Sequence, residues 1–128
     1  KMVGIETLIE AAQSVIDKFG DGQNHTVAAA ILNGDGRIVT GLNLAHFTGG
    51  PDAEISALAN LSASENIDPM LIVAVGDRGR GILSPCGKCR QILFDYYPDI
   101  NVVVAEKSKP IIKSIVELLP NIFDYNAQ

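Results

Sequence analysis

Two short runs made almost wholly of apolar residues, Met70 to Gly76 and Ile100 to Ala105, constrain this chain more than anything else in it. Each is too short for a buried helix and lacks the alternation of a strand with one wet face, so each reads as a strand covered on both faces. Pro69 and Gly76 bound the first. Between the two, Cys86 to about Tyr97 reads as a helix ended by Pro98. A strand, a crossover and a second buried strand call for helical layers on both sides of a sheet.

The remaining segments fit that plan. From Gly4 to Phe19, Ile5, Leu8, Ile9, Ala12, Val15, Ile16 and Phe19 recur at helical spacing and form one apolar face. Gly20 to Asn24 ends that helix. Thr26 to Leu32 and Arg37 to Leu44 flank Asn33-Gly34-Asp35-Gly36, a hairpin signal. The alanines at 28 to 30 suggest a strand crossed closely by a helix or a ligand. Ala45 to Pro51 is a loop whose His46 is open to reading as a metal ligand, a base or a surface residue. Asp52 to Glu65 reads as a second helix with Asp52 and Glu54 in its first turn, where the helix dipole favours carboxylates, so capping alone would account for Asp52.

Beyond the central strands, Asp77 to Ser84 is a loop in which a solvated role is expected for Arg78 and Arg80. Lys107 to Lys109 is a basic turn, Ile111 and Ile112 a short strand, and Ser114 to Leu119 a short helix. The tail, Pro120 to Gln128, carries Phe123 and Tyr125, and two aromatics in nine residues suggest that it docks. The whole is expected to be an α/β chain with a mixed central sheet, one domain spanning residues 1–128 without repeats. Ligands of such sheets sit at strand ends beside helix N-termini.

Both cysteines, Cys86 and Cys89, lie in Ser84-Pro85-Cys86-Gly87-Lys88-Cys89-Arg90-Gln91. Residues three apart on a helix share a face. With Pro85 near the first helical position, free N–H groups and the positive dipole end would lower both thiol pKa values and suit a soft metal or redox chemistry. Two buried thiols without a task are the plain alternative. A formal net charge of −5 argues against an extended nucleic-acid partner, although Arg78, Arg80, Lys88 and Arg90 gather near the cysteines. No apolar run approaches the ~20 residues that span a bilayer, and no signal pattern opens the chain, so no membrane role and a cytoplasmic location are expected. Two cysteines so close exclude a secreted disulfide framework.

Asp52-Ala53-Glu54 and Pro85-Cys86-Gly87-Lys88-Cys89 together give three anionic donors and one further carboxylate. A catalytic zinc takes three protein ligands and keeps one open position. A ligand followed two residues later by glutamate, and later by P-C-x-x-C, is the pattern of zinc deaminases.

The segments Asp35 to Ile38, Thr40 to Asn43, His46 to Glu54, Arg80 to Gln91 and Glu117 to Pro120 resemble the cytidine deaminase superfamily, and within it the blasticidin S deaminases. The similarity covers nearly the whole chain. It implies a three-layer α/β/α cytidine deaminase-like fold, a homotetramer, one Zn2+ per subunit and hydrolytic loss of the cytosine 4-amino group from a small nucleoside or nucleoside antibiotic. By the same resemblance Asp52, Cys86 and Cys89 are the metal ligands, Glu54 the proton shuttle to a zinc-activated water, and Arg90 a charge-balancing residue. It further implies that Ala53 and Ser84 hold the pyrimidine edge, Asn43 contacts the sugar, His25 lies against the base, and Phe123 and Tyr125 close the pocket.

Two departures from that family stand out. Ala45 occupies the position where cytidine deaminases carry a glutamate, which favours a modified sugar such as that of blasticidin S over plain cytidine. Asp52 replaces the usual cysteine or histidine ligand, and a harder donor should leave zinc more acidic but less tightly held. A cytidine deaminase of pyrimidine salvage and a non-catalytic nucleoside binder are the alternatives. A thiol-redox protein using Cys86 and Cys89 would leave Asp52 and Glu54 unexplained.

Overall fold

The two apolar runs are neighbouring parallel strands in the middle of the sheet. A computed structural model describes residues 4–127. In chain order it comprises α1 (Ile5–Phe19), β1 (Val27–Asn33), β2 (Ile38–Leu42), α2 (Ala53–Ser62), β3 (Pro69–Gly76), β4 (Gly81–Ile82), α3 (Gly87–Tyr96), β5 (Asn101–Glu106) and β6 (Lys109–Ser114), with 3-10 turns at Val116–Leu118 and Tyr125–Ala127. The sheet order is β2-β1-β3-β5-β6, with β4 added to the end of β3. Only β3 and β5 pair in parallel among the described strands, and α3 lies in the connection between them.

Alternation along the central strands sorts the core into two layers. Ala28, Ala30, Leu71, Val73, Val75 and Val103 face α1, meeting its Leu8, Ala12 and Ile16. Ala29, Ile31, Ile72, Ala74, Val102 and Val104 face the other way, against Ala57, Leu58 and Leu61 of α2 and Leu93 of α3. Full burial of each large side chain contributes about 1.5–3 kcal/mol of transfer free energy before the cost of ordering. Ala28, Ala29 and Ala30 are all completely buried, so the small side chains mark a strand pressed from both sides. The result is a three-layer α/β/α fold with a mixed sheet.

Several boundaries differ from the sequence reading. Strand β6 runs the full length of β5, from Glu106↔Lys109 to Asn101↔Ser114, where the sequence suggests only Ile111 and Ile112. Lys107 and Ser108 both take positive φ, 50° and 65°, which makes the basic turn a tight hairpin. Lysines and Pro110 suit an exposed edge, and they hide the strand from any apolar pattern. The short helix expected over Ser114 to Leu119 is a single turn at Val116–Leu118. Ser114 and Glu117 exchange backbone and side-chain hydrogen bonds of 2.8 and 3.1 Å around it, and Pro120 disfavours helix at the residue before it. Phe19, assigned to the apolar face of α1, is 53% exposed. No described helix is long and apolar enough to cross a membrane.

Candidate metal centre and its cavity

The N-terminal ends of α2 and α3 meet beside β3, and each offers its capping residue to the space between them. Gly41 of β2 lets α2 come close, since a Cβ there would lie 2.3 Å from the Ala57 nitrogen. Asp52 is the N-cap of α2 but makes no capping hydrogen bond with its side chain. Its Oδ2 lies instead 3.1 Å from Cys89 Sγ and 3.5 Å from Cys86 Sγ. Simple capping therefore does not account for Asp52. Cys86 is likewise the N-cap of α3, likewise without a side-chain cap, which sets Pro85 just outside the helix and Cys89 in its first turn. Cys86 is exposed and Cys89 buried.

The charge balance of this cluster reverses one expectation. Burial, followed by the Glu54 and Asp52 carboxylates, pushes the Cys89 thiol pKa far up rather than down. Two helix ends do not outweigh that crowding of acidic groups. Glu54 is only 7% exposed, and burial, reinforced by the Asp52 charge, raises its carboxyl pKa. A buried carboxyl with a raised pKa beside the donors is placed to take part in proton transfer.

The donor set fits zinc. One donor atom each from Asp52, Cys86 and Cys89 lies within 4.8 Å of the others, a spread compatible with sharing one ion at ~2.0–2.3 Å. A divalent cation would relieve the crowding that holds the Cys89 proton on. Three protein donors leave one tetrahedral position for water or substrate, as in catalytic zinc sites.

Beside the donors opens a cavity of about 160 Å³, which Asn43, Asp52, Ala53, Glu54, Ser84, Cys86 and Cys89 share with Val27, Ala74 and Leu83. The structure thus gathers seven of the eleven residues singled out from sequence. Ala53 opens α2, so its N–H has no intrahelical partner. Asn43 is tied down: its Oδ1 accepts the Thr26 and Val27 N–H groups at 2.7 and 3.0 Å, and its Nδ2 donates to Thr26 Oγ1 at 3.1 Å. That leaves one amide proton uncommitted within the chain. His25 touches the Asn43 carbonyl through Nδ1 at 2.9 Å and is not part of the cavity wall.

The other residues lie apart. Phe123 and Tyr125 are 58% and 71% exposed and do not line the cavity, although the Phe123 carbonyl accepts a hydrogen bond from Gln91 at 3.0 Å. The tail is docked by backbone while its rings face outward; Gln128 lies outside the described residues. Arg90 donates to the Pro85 and Leu118 carbonyls at 2.8 and 3.1 Å, so it braces the loop before Cys86 and forms no ion pair with Asp52. His46 sits on an exposed turn with Phe47 and Thr48, away from the donors, as its surface reading has it.

Sequence reading missed the support behind Asn43. Arg80, expected in a solvated loop, binds Asp77 Oδ1 through Nη2 at 2.9 Å and the Thr26 carbonyl at 2.8 Å. Asp77 is itself buried. The i,i+3 spacing of Asp77 and Arg80 was the available signal; the contact with Thr26 was not in view. Arg78, 74% exposed, lies in the solvated loop as expected and approaches Asp77 Oδ1 only at 3.7 Å.

Comparison with known proteins bears on these features together. Residues 2–106 match the family model described as the cytidine and deoxycytidylate deaminase zinc-binding region. A blasticidin-S deaminase from Bacillus cereus is 33% identical over 122 residues, covering 88% of this chain and 87% of that protein. A cytidine deaminase from Mycobacterium tuberculosis is 29% identical over 115 residues, covering 88% and 84%. The crystal structure of a mutant cytidine deaminase from the same organism superposes with a TM-score of 0.81 over 99% of this chain and 100% of that one, at 24% identity, and shows the shared fold. With the donor triad, the buried glutamate and the three-layer fold in place, the chain belongs to the zinc-binding cytidine and deoxycytidylate deaminase family.

Proposed function

We propose that this chain is a zinc-dependent hydrolase that removes the 4-amino group of the cytosine in blasticidin S, inactivating the antibiotic. The observation that carries the reading is the buried Glu54 carboxyl, one turn from a triad of metal donors and on the wall of the same cavity. A module that only bound nucleosides would have little need of it. Zinc held by Asp52, Cys86 and Cys89 would supply a Lewis acid that makes water nucleophilic near neutral pH.

The protein's own groups account for the rest. Glu54 as carboxylate takes one proton from the attacking water and as acid delivers it to ring N3; it then takes the second proton of that oxygen, now bonded to C4, and delivers it to the departing amine. The water oxygen bonds to C4, the C4–N4 bond breaks, and ammonia and a uracil product leave. The free N–H of Ala53 and the backbone of Ser84 hold the pyrimidine edge, and the remaining amide proton of Asn43 meets the sugar. His25 does not line the cavity, and we assign it to the base only through its anchor on the Asn43 carbonyl. Arg90 acts by bracing Pro85 and so Cys86.

Blasticidin S is favoured by the relative of that name and by Ala45, where a glutamate would suit an unmodified ribose. Cytidine is the second reading, supported by the cytidine deaminase relatives. The exposed rings of Phe123 and Tyr125 are suited to close the site from a neighbouring subunit, and we assign a homotetramer of single-domain, cytoplasmic subunits. Ammonia release from zinc-loaded protein, with blasticidin S and cytidine offered separately, tests the reading. Turnover of blasticidin S supports it; turnover of cytidine alone replaces the substrate, and turnover of neither rejects it.

A further inference from the structure

We infer that Arg80 is a positioning residue for substrate binding, acting through Thr26 to hold the Asn43 carboxamide at the cavity. The inference rests on the proposed reading of Asn43 as a substrate contact. Thr26 is the hinge of the arrangement. On its cavity side its N–H and Oγ1 hold the Asn43 side chain. On the opposite side its carbonyl accepts two hydrogen bonds, from the Asp77 N–H at 2.9 Å and from Arg80 Nη2 at 2.8 Å.

Arg80 is itself fixed from several directions. Its Nε and Nη2 form a fork on Asp77 Oδ1 at 3.1 and 2.9 Å. Its guanidinium lies directly over Gly76, where a Cβ would meet Nε at 2.7 Å and Cζ at 2.9 Å. Asp77 is 7% exposed, and its Oδ2 is buried without a partner. A half-satisfied buried carboxylate is costly unless a cation is kept beside it; exposed Arg78 reaches the same Oδ1 only at 3.7 Å, which leaves Arg80 as the close partner. The planar fork reaches Asp77 and the Thr26 carbonyl at once, which a lysine ammonium on a flexible stem does less well. Gly76, Asp77 and Arg80 thus form a clamp whose output is the position of Thr26.

Asn43 lies just past the end of β2, so no helix fixes its side chain at the cavity. Both lone pairs of its Oδ1 are consumed by the Thr26 and Val27 N–H groups, so the direction of its free amide proton follows Thr26. Loss of the clamp should therefore weaken substrate binding without touching proton transfer at Glu54.

The test measures KM and kcat for blasticidin S and cytidine on zinc-loaded wild type, Arg80→Met, Arg80→Lys, Gly76→Ala, Asn43→Ala and the double variant Arg80→Met with Asn43→Ala. Arg80→Met is expected to raise KM about tenfold, as loss of a charged hydrogen bond would, with kcat within about twofold. Arg80→Lys should recover part of that loss, and Gly76→Ala, which displaces the guanidinium without altering any bonding group, should reproduce it. The double variant should have the KM of Asn43→Ala alone, because residues acting in series are not additive. Additive effects, or a loss confined to kcat, would overturn the inference while leaving the role of Asn43 intact. An unchanged KM in Asn43→Ala would overturn the reading of Asn43 and the inference with it.

Discussion

Cys89 Sγ lies 3.1 Å from Asp52 Oδ2, joining the first turn of one helix to the N-cap of another across 37 residues of sequence. The carboxylate is a harder donor than the thiolate or imidazole that relatives are expected to place there, and it is not used to cap its own helix. Replacing Asp52 by alanine should lower zinc affinity by more than about 100-fold, beyond the loss typical of a secondary partner. Asp52→Cys should raise it by roughly tenfold or more, thiolate being the softer ligand. Competition with a chromophoric chelator measures both, and equal affinity in wild type and Asp52→Ala would remove Asp52 from the ligand set.

The α2 helix reaches the metal site only because β2 yields room at Gly41. An added Cβ would sit 2.3 Å from the Ala57 nitrogen and 2.7 Å from the Ser56 carbonyl carbon, both backbone atoms that cannot rotate away. Gly41→Ala should cost about 1–3 kcal/mol of stability, the usual range for overpacking. Urea unfolding of the two proteins gives the difference, and a midpoint unchanged by the substitution would show that α2 can shift freely.

Asp21 organises the loop leading to His25 and Thr26. Its Oδ1 accepts the N–H groups of Gln23, Asn24 and His25 at 2.9, 2.7 and 2.8 Å. These bonds, that from His25 first, lower its pKa from 3.8 to about 2. A folded-state pKa below the unfolded one gives stability that is complete above pH 3.8 and lost as pH falls toward 2. Carboxyl-resolved NMR should find the Asp21 midpoint near 2, and Asp21→Asn should lose less stability than wild type across that window. A midpoint near 4 would show that the loop does not hold in solution.

The parts of the site built from neighbours in sequence were legible from residue types together with the family resemblance they carry. Asp52 with Glu54, and Cys86 with Cys89, each join an N-cap to the first turn of a helix whose start a preceding proline marks. The buried strands β3 and β5 were equally plain, because nothing polar interrupts them. The β6 edge was obscured by Lys109, Pro110 and Lys113, which are compatible with solvent and so carry no periodic signal. Arg80 was misread because its partner carbonyl lies 54 residues away, and no local pattern announces a backbone acceptor. Dipole arguments pointed the wrong way for Cys89, since they weighed the helix end but not the two carboxylates packed beside it.

The cavity identity should also respond to Ala45, which stands two residues past Asn43. Ala45→Glu should raise kcat/KM for cytidine relative to blasticidin S by about tenfold, the scale of one added hydrogen bond to a sugar hydroxyl. Steady-state assays with both substrates check this, and an unchanged ratio would place sugar selectivity elsewhere.

The most direct measurement is ammonia release from blasticidin S by wild type and Glu54→Gln, with zinc quantified in the same samples. One zinc per subunit in both proteins is expected, with turnover in wild type and a fall of at least about 100-fold in the variant, as loss of a general acid–base group brings. Full turnover by Glu54→Gln, or a wild type that binds zinc and releases no ammonia, would contradict the account.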